Sequence, residues 1–259
     1  MDGFKQIFEN AQQEYANSEN QMESFRYANN IYGFCTNSDN EDKQSLNYAS
    51  IINKYLYHSF SQQPKSLIGY KGNEDKYLPI SDLDAKHILI LTFLFNNNKL
   101  IYDRIVEIGG GFGNMGRLTN NIIKYNHWDI IDIPHILELQ KFYLEHEIKD
   151  ISKFRFIDGF TDINYENIPI DLVIATHSLS EFSWDVFIKY FHNVITKSKY
   201  LYFGYNKMCP SPQLVHMKLE YIKAHGFILE KYFDYTENSS GYDNGAMVSY
   251  DLYKNVLSP

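Results

Sequence analysis

Cysteine is nearly absent from this sequence. Its 259 residues include only Cys35 and Cys209, which lie far apart and lack the spacing of a metal knuckle or redox pair, so both read as reduced thiols. Arginine is almost as scarce, with Arg26, Arg104, Arg117 and Arg155 the only examples. Positive charge is outnumbered overall: 24 Lys and Arg face 32 Asp and Glu, for a formal net charge of −8. A field of that sign argues against non-specific binding to nucleic acid or to an anionic membrane, both of which need a basic surface. Long apolar runs are missing too. The longest, Ile88 to Phe95, is far short of the ~20 residues that span a bilayer. The opening MDGFKQIFEN has no apolar core of a secretory leader. The expectation is a cytoplasmic protein without membrane insertion. Disorder is disfavoured as well, since 44% of residues are hydrophobic and 22% charged, as in an ordinary folded domain.

What is present changes character near residue 100. Up to there the pattern is helical or irregular: Phe4, Ile7, Phe8 and Ala11 recur at helical spacing, as do Tyr48, Ile51, Ile52 and Tyr55. Gly69 to Pro79 (GYKGNEDKYLP) reads as a loop, and Ser81 as the N-cap of a helix running through Asp84 to Phe95. From about 101 onward, short apolar strands alternate with helices. The strands are Arg104–Ile108, Trp128–Ile133, Phe154–Asp158, Asp171–Thr176, Tyr200–Tyr205, Phe227–Phe233 and Ala246–Tyr253. The helices are Met115–Lys124, Ile136–Glu145, about Trp184–Ile195 and about Gln213–His225, the last closed by Gly226. This alternation predicts an α/β fold: a mainly parallel sheet with helices on both faces, preceded by a helical extension over 1–100. In such sheets a ligand sits beyond the carboxyl ends of the strands, where strand order reverses.

The most specific stretch is Glu107-Ile108-Gly109-Gly110-Gly111-Phe112-Gly113. Glycines directly after a strand allow a tight turn and the close approach of a ligand to the backbone. Gly111, Gly113 and Gly116 also match the dinucleotide fingerprint formally. Two features favour S-adenosylmethionine over a pyrophosphate cofactor. A carboxylate at Glu107 would repel a pyrophosphate but complement an ammonium or sulfonium, and the strand enters the loop at Gly109, two residues ahead of the dinucleotide register. Asp132, about 20 residues on at the end of the second strand, is placed to accept from both ribose hydroxyls; the alternative is an acid that starts the helix at Pro134. Asp158-Gly159-Phe160 after the third strand offers an acceptor for the adenine amino group and an aromatic cover, or else an ordinary Asp-Gly turn.

Over residues 101–254 the sequence resembles the class I, Rossmann-like methyltransferases dependent on S-adenosylmethionine. The motifs that carry the resemblance are EIGGGFG, IIDIP, FIDGF, the DLVIATHSLSE strand and the HGF…MVSYDLY ending. The combination IVEIGGGFG…WDIIDIPHILELQKFYLE is similar, more narrowly, to bacterial sugar O-methyltransferases. The resemblance implies a seven-stranded sheet of order 3-2-1-4-5-7-6 with strand 7 antiparallel. It implies S-adenosylmethionine as cofactor, S-adenosylhomocysteine as product, and cofactor contacts from Glu107, Gly109, Gly111, Gly113, Asp132, Ile133, Asp158, Gly159, Phe160 and Thr176. In the broader family, extensions such as residues 1–100 cap the acceptor site.

The acceptor so implied is a sugar hydroxyl, on a nucleotide sugar or a capsule or lipopolysaccharide precursor. Methyl transfer from a sulfonium is an in-line displacement that needs alignment and, for a hydroxyl, removal of a proton. Thr176-His177-Ser178-Leu179-Ser180-Glu181 follows the fourth strand, making His177 the candidate base and Glu181 a residue that orients it or replaces it. His177 packed against the cofactor is the alternative. No compact ligand spacing points to a metal. Lys71, Lys76 and Tyr77 mark the 69–79 loop as a candidate lid, and one or two arginines, Arg104 and Arg117 beside the glycines among them, as candidate ligands for a nucleotide-sugar phosphate. Competing readings are transfer to another small acceptor such as an amine or phosphate-derived group, an NAD-dependent oxidoreductase, and a non-catalytic scaffold. Aromatic-rich helices in 1–100 leave a homodimer face open.

Overall fold

Strands with bulky side chains on both faces need cover on both faces, and that requirement organises the molecule. The computed structural model describes residues 39–64, 66, 82–97, 101–161, 163–206, 211–237 and 246–257. Helices α1 (Asp39–Ile52), α2 (Lys54–Ser61) and α3 (Asp82–Leu94) precede the first strand. The series then runs β1 (Ile101–Ile108), α4 (Asn114–Thr119), β2 (Lys124–Asp132), α5 (Pro134–Glu147), β3 (Phe154–Asp158) and β4 (Ile170–Thr176). It finishes with α6 (Ser178–Glu181), α7 (Trp184–Asn193), β5 (Ser198–Asn206), α8 (Pro212–Ala224), β6 (Phe227–Glu237) and β7 (Ala246–Asn255). The strands form one sheet of order β3-β2-β1-β4-β5-β7-β6. Only β7 opposes its neighbours, pairing antiparallel with β5 and β6. This is the Rossmann-like methyltransferase topology that the sequence leads one to expect.

Successive strand residues point to opposite faces, and the core divides accordingly. Ile105, Trp128, Ile130, Leu172, Ile174 and Tyr202 face α3, α4 and α5. Val106, Ile108, Ile131, Val173, Ala175 and Phe203 face α7 and α8. Ala49, Leu56, Phe60 and the apolar run of α3 belong to the first of these layers. Residue 100 therefore marks a change of pattern and not a gap in packing. The 4–11 pattern, Ser81 and the 69–79 loop lie outside the described residues.

Element ends follow local chemistry. Asn53 caps α2 by accepting from Tyr55 and Leu56 N–H. Pro134 and Pro212 sit in the first turns of α5 and α8, and Gly226 takes φ +87° just past α8. The helix expected over Met115–Lys124 is corrected: it stops at Thr119, and Lys124 already begins β2. The reason is tertiary, because β1 starts at Ile101 and pairs with β2 from Lys124 onward. Among the described residues, no helix is long and apolar enough to cross a membrane.

Candidate active site

The loop leaving β1 is locked to the turn leaving β4. Gly109, Gly111 and Gly113 all adopt positive φ, at 72°, 58° and 92°, a region open to glycine at little cost. At Gly109 a Cβ would fall 2.5 Å from Ser178 Cβ. Ser178 uses that proximity to donate from its hydroxyl to the Ile108 carbonyl. The two strand ends that border the expected ligand site therefore move as one piece.

Beneath the loop lies a buried polar floor. Glu107, only 4% exposed, accepts a 2.9 Å hydrogen bond from Trp128 Nε1. Burial pushes its carboxyl up to about 8, opposed by the Trp128 bond and reinforced by the charge of Asp132. That shift favours the protonated acid near neutral pH. Asp132 Oδ1 accepts from Ile133 N–H at 2.9 Å and Oδ2 from Gln140 Nε2 at 2.8 Å. Burial raises the Asp132 carboxyl to about 6, offset by bonds from Ile133, Gln140 and Gly110. It is the more acidic of the two. Asp132 is not the N-cap of α5; Ile133 holds that position without a side-chain cap.

The end of β3 is drawn against the end of β2, for Gly159 N–H donates to the Asp132 carbonyl at 2.8 Å. Asp158 Oδ1 accepts from Phe160 N–H at 2.9 Å, forming the Asp-Gly turn that the sequence offered as an alternative. That turn leaves Phe160 68% exposed beside Asp132, as an aromatic cover would be. Thr176 ends β4, its hydroxyl 3.9 Å from Met115 Sδ. Acceptor oxygens, a glycine-rich loop whose one side chain, Phe112, is buried, and an exposed ring thus lie at the carboxyl ends of β1, β2 and β3. This set fits a nucleoside-bearing ligand.

His177 follows β4 in an unusual conformation, φ 67° and ψ −35°, a strained region for a residue with a side chain. Its N–H is anchored on the Gly204 carbonyl at 2.8 Å, and its own carbonyl accepts from Ser180 and Glu181 N–H. Nε2 is shut off from solvent and has no hydrogen-bond partner among the described residues. Burial, with Lys86 and His87 nearby, drives the imidazole down to about 3, so the ring is neutral throughout the physiological range. Glu181 does not orient it. That residue is exposed at the end of α6, and the charge that acts on it is Lys218. Lys218, fully buried on α8, donates to the carbonyls of Leu179, Ser180 and Phe182 at 2.9, 2.9 and 2.5 Å. It thereby satisfies the orphan carbonyls of this short helix.

The helical extension reaches the same end of the sheet through Asn114, the first residue of α4. Arg117 Nε can only donate, so the Asn114 atom 2.9 Å from it is Oδ1. Nδ2 then faces Asp84 Oδ1 at 2.7 Å and His87 Nδ1 at 2.9 Å. His87 Nδ1 must accept, which places its proton on Nε2. Arg117 itself pairs with Asp84 at 2.6 Å, both side chains about 5% exposed or less, and donates to the Pro64 carbonyl. Arg104 and Arg155 both pair with buried Asp129 at 2.7 Å. The expectation that Arg104 or Arg117 serves a ligand phosphate is corrected: the arginines described here are committed to carboxylates.

Three residues at or beside this site are not among the candidates read from the sequence: Gln140, Lys218 and Asn114. For the first two a signal existed. Gln140 lies on the apolar stripe Ile136, Leu137, Tyr143 and Leu144, and Lys218 lies between Val215 and Ile222. A polar residue on a buried helix face needs partners, and here both have them. His135 and His216 lie on α5 and α8. Among the described residues, no group of three or more His, Cys, Asp or Glu converges as a metal site would require.

No protein-family model matches this chain, and no curated protein matches it in sequence. Its fold is nevertheless shared. A candidate RNA methyltransferase from Pyrococcus horikoshii superposes with a TM-score of 0.54 at 12% identity, over 79% of this chain and 100% of its own. M. capricolum TrmK, solved with S-adenosylhomocysteine, overlaps at 0.45 and 16% identity over 63% of this chain and 68% of its own. The N-methyltransferase NodS from Bradyrhizobium japonicum gives 0.47 and 12% over 66% and 94%. The first of these likenesses shows the fold, and identities this low show no more.

Proposed function

We propose that this protein is an S-adenosylmethionine-dependent methyltransferase acting on a sugar hydroxyl of a glycan precursor. The observation that carries the reading is the convergence of the glycine loop, Asp132 and His177, whose Nε2 has no partner among the described residues, at one end of a methyltransferase-type sheet. S-adenosylmethionine supplies an activated methyl group. Gly109, Gly111 and Gly113 would let its amino-acid end approach the backbone, Asp132 would accept from the ribose hydroxyls, and Asp158 with Phe160 would face the adenine. His177 would accept the hydrogen bond of the acceptor hydroxyl, align its lone pair with the methyl carbon and take the hydroxyl proton as the new C–O bond forms and the C–S bond breaks to release S-adenosylhomocysteine. Burial, with Lys86 and His87 nearby, keeps the resting ring neutral and so open to that proton. The narrow sequence resemblance over β1 to α5 supports the sugar class, and the committed arginines suit a polyol better than a diphosphate. The archaeal structure of similar fold is described for RNA, but a net charge of −8 disfavours that acceptor here.

Titration calorimetry with S-adenosylmethionine and S-adenosylhomocysteine tests the cofactor, and no heat at millimolar ligand rejects it. Mass spectrometry of sugars and nucleotide sugars incubated with enzyme and cofactor tests the acceptor. A methyl gained only by amines or phosphates rejects the sugar assignment. His177→Ala is expected to lower kcat on the order of 10²-fold for a hydroxyl acceptor and to change little for an amine already deprotonated at the assay pH.

A further inference from the structure

One side chain that joins the two halves of the nucleoside site comes from the helix after β2. Gln140 projects from the buried face of α5, fully enclosed. Its Nε2 donates to the Gly111 carbonyl at 2.9 Å and to Asp132 Oδ2 at 2.8 Å. Gly111 is the middle of the β1 loop and Asp132 the end of β2, so one amide ties together two segments that the Gly110 N–H bond to the Asp132 carboxylate and the Gly109 N–H bond to the Ile131 carbonyl also join. A Cβ on Gly110 would lie 3.2 Å from the Glu107 carboxyl carbon and 3.4 Å from Gln140 Nε2. The absence of that Cβ is what lets the amide and the carboxyl both pack beneath the loop. Gln140 Oε1, buried, has no donor among the described residues.

We propose that Gln140 is a cofactor-positioning residue: its amide holds Gly111 and Asp132 in fixed register, so that the loop and the ribose acceptor meet the nucleoside as one preformed unit. The assignment rests on the cofactor reading above. Preorganisation of this kind strengthens binding because the ligand need not order the site. Packing alone does not require glutamine here, since methionine has nearly the same length and volume.

Gln140→Met in the full chain removes both donors and keeps the packing. Gln140→Glu keeps the shape but turns an acceptor toward the Gly111 carbonyl and Asp132. S-adenosylhomocysteine binding by calorimetry, with Tm measured in parallel, is expected to weaken about 10-fold for Gln140→Met, the scale of losing a hydrogen bond to a charged group, and further for Gln140→Glu. Methylthioadenosine, which keeps the ribose and lacks the amino-acid end, should weaken by the same factor. Asp132→Ser combined with Gln140→Met should lose less than the sum of the two single changes. Unchanged affinity in folded Gln140→Met, or strictly additive losses, would overturn the proposal while leaving the cofactor reading intact. Failure of the wild type to bind either probe rejects both together.

Discussion

Arg117→Met is expected to lower the stability of the chain by about 3–5 kcal/mol, the cost of leaving one partner of a buried ion pair uncompensated. Arg117 and Asp84 meet at 2.6 Å with both side chains withdrawn from water. Arg117 also holds the Asn114 and Pro64 oxygens. After the substitution Asp84 keeps the Asn114 amide but loses its counter-charge. For a chain of this size the loss corresponds to a fall in Tm on the order of 10 °C. The double variant Asp84→Leu with Arg117→Met should recover much of it, because an apolar pair of similar volume removes the stranded charge. Urea unfolding of the three proteins checks this. A single-variant loss below about 1 kcal/mol, or a double variant no better than the single, would show that the pair is not desolvated as the geometry indicates.

Glu107→Gln should stabilise the protein, and by more as the pH rises. The folded-state carboxyl is raised from 4.5 to about 8, so between those values the folded chain holds a proton that the unfolded chain has lost. Stability from this group is fully present below the lower value and is lost as pH climbs toward the upper one, at about 1.4 kcal/mol per pH unit. Glutamine cannot titrate, and its carbonyl can still accept from Trp128. The difference between variant and wild type cancels the titrating groups that do not interact with this site. It should be small at pH 5, reach about 3 kcal/mol at pH 7 and level off above pH 8. Denaturant unfolding at those three pH values measures it. A difference that does not grow with pH would show that Glu107 is ionised in the folded state.

Much of the fold was legible because local and global preferences agree. The central parallel strands are buried on both faces, and β4 and the ends of β1 and β2 read as short, mainly apolar runs, while edge strand β3 is broken by exposed Arg155. Where reading failed, the signal was absent from the local sequence. The first half of β2, Lys124, Asn126 and His127, is exposed and polar, and only pairing with β1 makes it a strand. The glycine loop was legible for a steric reason, since few other residues tolerate its backbone. The catalytic end was legible only as a list of residue types after β4. Nothing in Thr176 to Glu181 announces that His177 is strained, with an Nε2 unpartnered among the described residues, or that Lys218, 37 residues beyond Glu181, holds the carbonyls of this turn.

By itself, then, the sequence determined the strand series, the loop at Gly109–Gly113 and the acid at Asp132, because each depends on the conformations open to a few adjacent residues. Only the tertiary structure decided the charge state of Glu107, the commitment of Arg104, Arg117 and Arg155 to carboxylates, and the bridging position of Gln140. Those properties arise from desolvation and from partners at least eight residues distant, as with Asp132 and Gln140. Burial turns an acid neutral and a surface cation into a structural tie, and burial is settled only when the layers close on both faces of the sheet.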